Sequence, residues 1–257
     1  MSDTWTMAQK TAVTPVLPTR RIPMAGPLNL RDLGGYPTSC GELVRWRRAL
    51  RSDSLASMTA EDAERLGTEL GVRTVIDLRT SAEIELNGSV PPGPFAYHHL
   101  PIIDETGNLD PVFFPGVALH DLYWWLLGRA GARFADVLEV LAASAEPGVF
   151  FCAAGKDRTG LVAALLLGTL GVADEDIALD YSLTAEVMPG ILERARTWSA
   201  DSGPALSFPP QVYGAEADTM LQVLRELRRE HGSVLGYVLD AGLDMRSVEE
   251  LRGLLLE

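Results

Sequence analysis

Cysteine, histidine and lysine are all scarce in this chain, whose 257 residues include two cysteines, four histidines and two lysines. Cys40 and Cys152 lie 112 residues apart, which excludes the closely spaced cysteines of a small disulfide-rich domain. No CxxC pair or Cys/His cluster has the spacing of a zinc site, and the histidines have no metal-ligand spacing either. We therefore expect no metal, no cofactor and a reducing compartment.

Long apolar runs are absent as well. No uninterrupted run reaches the roughly 18 residues that span a membrane. The first 26 residues lack the order of basic, apolar and small residues that forms a Sec signal. The sequence therefore predicts a cytoplasmic protein without a transmembrane segment, and export that needs no Sec-type signal is the alternative.

Positive charge is in short supply, since 22 lysines and arginines face 35 acidic residues and the formal net charge is −13. Such a balance argues against nucleic-acid binding, which needs a positive surface to release counterions. It also disfavours docking on anionic membranes through bulk charge. An anionic substrate would therefore need a local positive site, and a small pocket is the natural form for one.

Strand-like and helix-like segments alternate in the first two thirds of the chain. Short apolar runs at 72–80 and 148–153 are typical of buried strands, and 58–71 has the pattern of a helix capped by Thr59 with Asp62. Strands that alternate with helices indicate an α/β fold with a parallel sheet. We therefore predict a central, mostly parallel sheet of about 4–5 strands flanked by helices.

The last third of the chain has helical periodicity. Its final segment, 246–256, carries Ser247 and Glu250 at the spacing of a capping box. No internal repeat and no low-complexity linker divides the chain. We therefore predict a helical C-terminal third within a single domain at 26–257, preceded by an N-terminal arm at 1–25.

Residues 122–127, LYWWLL, are too apolar for an exposed helix. They would suit either the core or a lid over the pocket, because both bury apolar side chains. We favour the core.

One of the two cysteines and one of the two lysines share a short polar loop in GVFFCAAGKDRTGLVAALLLG. The pattern predicts a strand, a loop and a buried helix, so the loop amides from Ala153 to Arg158 and the helix dipole would converge on an anion. Cys152 in such a loop would be a stabilised thiolate and a nucleophile. Arg158 could clamp two phosphoryl oxygens, and Thr159 could hydrogen-bond the sulfur. The plain alternative is a small buried cysteine at a strand end.

Four segments together carry a resemblance: CAAGKDRTG, NLRDLGG at 29–35, RSD at 51–53 and VIDLRTSAEIE at 75–85. They resemble the Cys-based protein tyrosine phosphatase superfamily, and in particular its bacterial tyrosine/lipid phosphatase group. The resemblance runs from about residue 28 to the end and implies a dual-specificity-phosphatase-like fold. It implies a metal-independent hydrolase of phosphoric monoesters that acts through a phosphocysteine on phosphorylated proteins or phosphoinositides. Phosphate, sulfate or vanadate would then bind in the loop.

The resemblance also implies roles for single residues. Cys152 would be the nucleophile and Arg158 would hold the phosphate. Asp157 would be the general acid, with Asp104 as the alternative acid from a separate loop. Lys156 resembles a loop lysine associated with multiply charged substrates such as phosphoinositides. The remaining substrate-binding residues would come from the loop and from the neighbouring strand end: Ala153, Ala154, Gly155, Asp77 and Arg79.

Phe151 departs from the superfamily pattern, because it stands immediately before the cysteine where the signature has histidine. Phenylalanine cannot join the hydrogen bonds that help to keep the thiolate ionised. We therefore expect an active but less strongly activated Cys152. The departure also motivates a second hypothesis, a phosphatase-like module that binds phosphorylated ligands with weak catalysis.

A rhodanese-like sulfurtransferase is the third hypothesis, since that class also uses a cysteine in an anion-binding loop. Arg158 at the phosphatase spacing, followed by Thr159, disfavours it. The nucleophile is retained together with Asp157 and Arg158, which favours the hydrolase over the binding module.

Overall fold

The structure, a computed structural model, describes residues 19–103, 118–202 and 213–257, and it describes no side chains at 197–202. Within these ranges five strands form one sheet in the order β1-β2-β5-β3-β4. β1 is antiparallel to β2, and the other neighbours are parallel. The mostly parallel sheet of the sequence prediction is thus confirmed. The strands are β1 (Arg31–Asp32), β2 (Ala49–Ser52), β3 (Thr74–Asp77), β4 (Ala96–His99) and β5 (Gly148–Phe151).

Nine helices surround this sheet in the described part of the chain, and six of them follow β5. The C-terminal third is therefore helical, as its periodicity predicts. The helices are α1 (Ala60–Thr68), α2 (Ser81–Asn87), α3 (Leu119–Ala142), α4 (Asp157–Thr169), α5 (Asp174–Ser182), α6 (Met188–Ser202), α7 (Ala217–His231), α8 (Val234–Asp240) and α9 (Met245–Leu255). None of them combines the length and the apolarity that crossing a membrane requires.

The first helix begins with the capping box that its sequence predicts. The Thr59 hydroxyl accepts from the Asp62 N–H, and the Asp62 carboxylate accepts from the Thr59 N–H, each at 3.1 Å. Two N–H groups that lack a helical partner are thereby satisfied. Helix α2 begins with the same arrangement, formed by Thr80 and Glu83. It escapes prediction because it is only seven residues long and buries no residue that would give an apolar period.

The capping box expected at Ser247 and Glu250 is wrong. Helix α9 begins at Met245, and its N-cap is Asp244, whose carboxylate accepts from the Ser247 N–H at 2.7 Å. A carboxylate at this place satisfies a free N–H and also meets the positive end of the helix dipole. Asp244, three residues before Ser247, therefore takes the N-cap position that the sequence pattern assigned to the serine.

The sheet separates two hydrophobic clusters. Val149 and Phe151 lie in the cluster that α1 covers, and Ile22 and Met24, which precede β1, pack against it. Phe150 and Cys152 lie in the larger cluster on the other side, which α3, α4 and the C-terminal helices cover. Successive strand residues point to opposite faces. The Cys152 thiol and the Phe151 ring are therefore on different sides of the sheet.

The apolar segment 122–127 lies in the larger cluster. Leu122, Tyr123, Leu126 and Leu127 are buried there, and the two tryptophans between them pack against the cluster while half-buried. The segment is thus part of the core, as its composition favours. One consequence is that Tyr123 carries its hydroxyl group into the interior.

Candidate active site

The predicted anion loop lies at the carboxyl end of β5, which has β2 and β3 as its neighbours in the middle of the sheet. β5 ends at Phe151, and α4 begins at Asp157 with Lys156 as its N-cap residue. The carboxyl edge of parallel strands is where open α/β sheets bind ligands. Cys152 opens the loop and is only 1% exposed. The local order of strand, loop and helix is therefore the one that the sequence predicts.

Three carbonyl groups of the loop are held from outside. The donors and acceptors are Ser54 N to Ala153 O at 3.1 Å, Asn29 Nδ2 to Ala154 O at 3.1 Å, and Arg51 Nη2 to Gly155 O at 2.8 Å. In a trans peptide the N–H points away from the preceding carbonyl. The N–H groups of Ala154, Gly155 and Lys156 therefore face away from these donors, and within the described residues they donate to no protein acceptor. Such a row of amides is suited to an anion.

Gly155 allows the loop to come this close to β2. Its φ of +66° lies in the left-handed region, and a Cβ at this position would be 2.4 Å from Ser52 O and 2.6 Å from Asp53 N. No other residue type fits both demands without moving the backbone. Glycine is thus required at position 155 both by the close approach to β2 and by the left-handed backbone conformation.

Arg158, the predicted phosphate clamp, forms a two-fold ion pair with Glu83. The Nη1–Oε2 distance is 2.5 Å and the Nη2–Oε1 distance is 2.7 Å. Burial opposes the charge on both groups, but their mutual attraction outweighs it, so the pKa of Glu83 is lowered and that of Arg158 is raised. Glu83 is not among the sequence-predicted site residues. The signal for it was the capping pattern of α2, since the same carboxylate accepts from the Thr80 N–H at 2.8 Å.

Asp157 and Lys156 meet in a cluster at the start of α4. Lys156 is 2% exposed, and its ammonium donates to Asp157 Oδ1 at 2.6 Å and to the Tyr123 hydroxyl at 3.3 Å. The Tyr123 hydroxyl donates to the same Oδ1 at 2.7 Å. Asp157 keeps 29% of its side chain exposed, so its carboxyl reaches the protein surface. The alternative acid, Asp104, lies outside the described residues.

Asp77 and Arg79 are brought to the edge of the site, but both side chains are fully buried. They pair with each other, with Nη2–Oδ2 at 2.6 Å and Nε–Oδ1 at 2.9 Å. Tyr97 also donates to Asp77, and Arg79 lies over the Phe151 ring. In this arrangement the two side chains are paired with each other and support the end of β3, and their direct contact with substrate stays a prediction. A strand pattern places residues at a sheet edge without showing how deeply they are covered.

A buried charge cluster stands behind the loop and was not predicted. The Asp180 carboxylate accepts from Arg31 Nε at 3.0 Å and from Arg51 Nη1. Burial works against the Asp180 charge, but the two guanidinium groups outweigh it and lower the pKa of Asp180. Burial, and then the charge of Arg31, lowers the pKa of Arg51 to about 10. Two cations against one anion leave net positive charge beneath the loop, which an acidic chain needs if it is to hold an anion there.

Two further residues of the signature have clear surroundings. The Thr159 hydroxyl is buried and has no hydrogen-bond partner among the described residues. Buried hydroxyl groups normally have one, so Thr159 is suited to an acceptor that the protein itself does not supply. Phe151 is fully buried in the cluster on the α1 side, away from the Cys152 thiol.

No group of three or more histidine, cysteine, aspartate or glutamate side chains in the described ranges is placed to hold a metal ion.

Several curated proteins resemble this chain over most of its length. A Cupriavidus necator protein that bears the name of a tyrosine-protein phosphatase is 31% identical over 234 residues, which cover 88% of this chain and 84% of that protein. A tyrosine-protein phosphatase of Nostoc commune is 30% identical over 79% of this chain and 72% of its own length. The triple specificity protein phosphatase PtpB of Mycobacterium tuberculosis is 27% identical over 91% of this chain and 98% of its own length.

A solved structure, that of TpbA from Pseudomonas aeruginosa, matches 74% of this chain and 97% of its own length with 18% identity. Its TM-score of 0.35 is too low to support a conclusion. The sequence model of the tyrosine phosphatase family matches residues 22–257, which include every described strand and helix. The chain therefore belongs to the tyrosine phosphatase family.

Proposed function

We propose that this member of the tyrosine phosphatase family hydrolyses phosphoric monoesters through a covalent phosphocysteine on Cys152. One observation carries the proposal. Cys152 opens a loop whose carbonyls are held outward by Ser54, Asn29 and Arg51, so that its amides remain for the phosphoryl oxygens.

In the first step the Cys152 sulfur attacks phosphorus, an S–P bond forms, and the bond from phosphorus to the ester oxygen breaks. Asp157 gives its proton to that leaving oxygen. Negative charge on the other phosphoryl oxygens is met by the loop amides and by Arg158, whose orientation Glu83 fixes.

In the second step a water molecule attacks the phosphocysteine. The Asp157 carboxylate takes one proton from the water, the S–P bond breaks, and inorganic phosphate leaves. The sulfur departs as a thiolate, which the otherwise unpartnered Thr159 hydroxyl can stabilise by donating a hydrogen bond. The step regenerates the thiolate and the protonated acid, so the cycle needs no metal or other cofactor.

Phosphorylated proteins are the substrates we propose, in keeping with the names of the related phosphatases. Lys156 is the loop cation that would meet a further phosphate, as on a phosphoinositide. Its ammonium is already paired with Asp157 and Tyr123, which favours singly phosphorylated substrates. We place the reaction in the cytoplasm, where the two free cysteines would stay reduced.

The decisive experiment compares the hydrolysis of p-nitrophenyl phosphate by the wild type and by the variants Cys152→Ser and Cys40→Ser. Cys40 is exposed and serves as the matched control. We expect vanadate-sensitive turnover in the wild type and in Cys40→Ser, and none in Cys152→Ser. A wild type that binds vanadate without turnover would indicate the binding module. Sulfur transfer from thiosulfate to cyanide would indicate the sulfurtransferase.

A further inference from the structure

Tyr123 and Tyr181 reach the site from two different helices, α3 and α5. Their hydroxyl oxygens are 2.7 Å apart, and their rings meet edge to face with centroids separated by 6.0 Å. Both rings are buried in the large hydrophobic cluster. Their positions are therefore fixed by core packing, which gives rigid support to any group that their hydroxyls touch.

The direction of the hydrogen bonds in this pair follows from proton counting. Tyr123 has one hydroxyl proton and donates it to Asp157 Oδ1 at 2.7 Å. Tyr181 must then be the donor to the Tyr123 oxygen, which also accepts from the Lys156 ammonium. The hydroxyl of Tyr123 is thus fully used, with one bond donated and two accepted.

Both donors that reach the Asp157 carboxyl use the same oxygen. Lys156 and Tyr123 bond to Oδ1, whereas Oδ2 has no hydrogen-bond partner among the described residues. An oxygen that already accepts two hydrogen bonds is a poor place for a proton, because the proton would displace a donor. In the acid form of Asp157 the proton therefore belongs on Oδ2.

Tyr123 keeps its proton at neutral pH. Burial, followed by the negative charge of Asp157, raises the pKa of Tyr123 well above its ordinary value. Burial likewise raises the pKa of Tyr181. Both phenols therefore remain donors whether Asp157 is protonated or ionised.

We propose that Tyr123 is a positioning residue for proton transfer: it anchors Asp157 through Oδ1 and leaves Oδ2 to protonate the leaving group. Tyr181 acts one step further back, by holding the Tyr123 hydroxyl. The proposal rests on the proposed function, since it assigns the acid of that reaction to Asp157.

The test is Tyr123→Phe, which removes one oxygen and keeps the ring. Phenyl phosphate needs a protonated leaving oxygen, whereas 2,4-dinitrophenyl phosphate leaves as a stable anion and does not. We expect kcat/KM to fall about tenfold or more on phenyl phosphate and to change less than about twofold on 2,4-dinitrophenyl phosphate. A purely structural defect would lower both values alike.

The matched control is Tyr237→Phe. Tyr237 is also a buried tyrosine, and its hydroxyl donates a hydrogen bond to Leu127 O of α3 at 2.8 Å. It has no hydrogen bond to Asp157. We expect both substrates to react at the wild-type rate in this variant. If Tyr123→Phe fails to fold, Tyr181→Phe takes its place, with a loss of about threefold confined to phenyl phosphate.

The pairing with Asp157 is tested by adding Tyr123→Phe to Asp157→Asn. Because the tyrosine acts only through the carboxyl, we expect no further loss on phenyl phosphate in the double variant. The inference is overturned by equal losses on both substrates, by no loss, or by a further loss in the Asp157→Asn background. Turnover that survives Cys152→Ser would instead overturn the proposed function, so the two failures are distinguishable.

Discussion

Arg158 and Glu83 form two parallel hydrogen bonds, at 2.5 and 2.7 Å, between a guanidinium at the start of α4 and a carboxylate in the first turn of α2. A planar fork held on both nitrogens cannot rotate, so its remaining face is presented in one orientation. The carboxylate also caps α2. The orientation of the phosphate clamp is thereby tied to α2, the helix that follows β3 in the chain.

Glu83→Gln should separate these two roles. Glutamine still suits a capping box, but it replaces a charged acceptor by a neutral amide and offers Arg158 a donor on one side. We expect kcat/KM for p-nitrophenyl phosphate to fall about 10- to 100-fold with little loss of thermal stability, in line with the effect of breaking a charge-assisted pair. Glu85→Gln, at an exposed position of the same helix, is the control and should behave as the wild type.

Gly155→Ala should remove activity through the backbone alone. The added methyl would lie 2.4 Å from Ser52 O in a residue with φ of +66°, so the loop must shift away from β2. We expect more than a 100-fold loss of kcat/KM and a loss of about 1–3 kcal/mol in the free energy of unfolding.

The control for that change is Gly253→Ala in α9, where a Cβ would meet open space. This substitution should preserve activity and raise the free energy of unfolding by up to about 1 kcal/mol, since alanine is the better helix former. Denaturant titration with an activity assay measures both variants. Wild-type activity in Gly155→Ala would contradict the close approach of the loop to β2.

Asp180→Asn should be strongly destabilising. The variant leaves Arg31 and Arg51 buried without their carboxylate, a situation that typically costs about 3–5 kcal/mol. Asp174→Asn is the control, because Asp174 pairs with the partly exposed Arg228 and should cost less than about 1 kcal/mol. Similar losses from the two changes would be inconsistent with a buried cluster.

The same carboxylate predicts a dependence of stability on pH. The folded-state pKa of Asp180 lies below its ordinary value of 3.8. Its contribution is therefore complete above that value and is lost as the pH falls through the lower folded-state pKa. We expect the wild type to lose stability below about pH 4 more steeply than Asp180→Asn does, as measured by denaturant unfolding across that range.

Phe151→His tests the substitution in the signature. We expect iodoacetamide to alkylate Cys152 faster at pH 6 in this variant. Because side chain 151 lies on the opposite face of the sheet from the thiol, the imidazole would act through hydrogen bonds to the backbone around Cys152. The measurement belongs in a Cys40→Ser background, so that only one thiol reports. Superimposable rate-against-pH curves would show that the phenylalanine does not weaken the thiolate. Since the ring lies in an apolar cluster, the histidine should also lower stability by about 1–3 kcal/mol.

Features that depend on neighbours in the sequence could be predicted. The capping box of Thr59 with Asp62 involves residues three positions apart, and the signature loop from Cys152 to Arg158 is a single short segment of the chain. In both patterns the short backbone between the residues determines how their side chains are placed relative to each other. The mostly parallel sheet was likewise predictable from alternating strand and helix patterns.

Features that depend on distant contacts could not be predicted. Arg158 and Glu83 are 75 residues apart in the sequence, and Tyr123 and Asp157 are 34 residues apart. Neither contact can therefore be predicted from a short-range sequence pattern. Asp77 and Arg79 were placed at the correct sheet edge, but their burial depends on what packs over them. The sequence thus located the loop, whereas the groups that orient its side chains required the three-dimensional arrangement.

The hydrogen bonds from Asn29 and Arg51 to the loop carbonyls affect when activity appears during folding. Asn29 and Arg51 bond to loop residues that lie 125 and 104 positions later in the chain. Contacts of such long sequence separation form late, because the loop-closure entropy must first be offset. Helices α4 to α9 could collapse with Cys152 in place and still present an unshaped loop. Turnover would then report the arrival of the N-terminal strands, and refolding followed by activity should lag behind refolding followed by helix content.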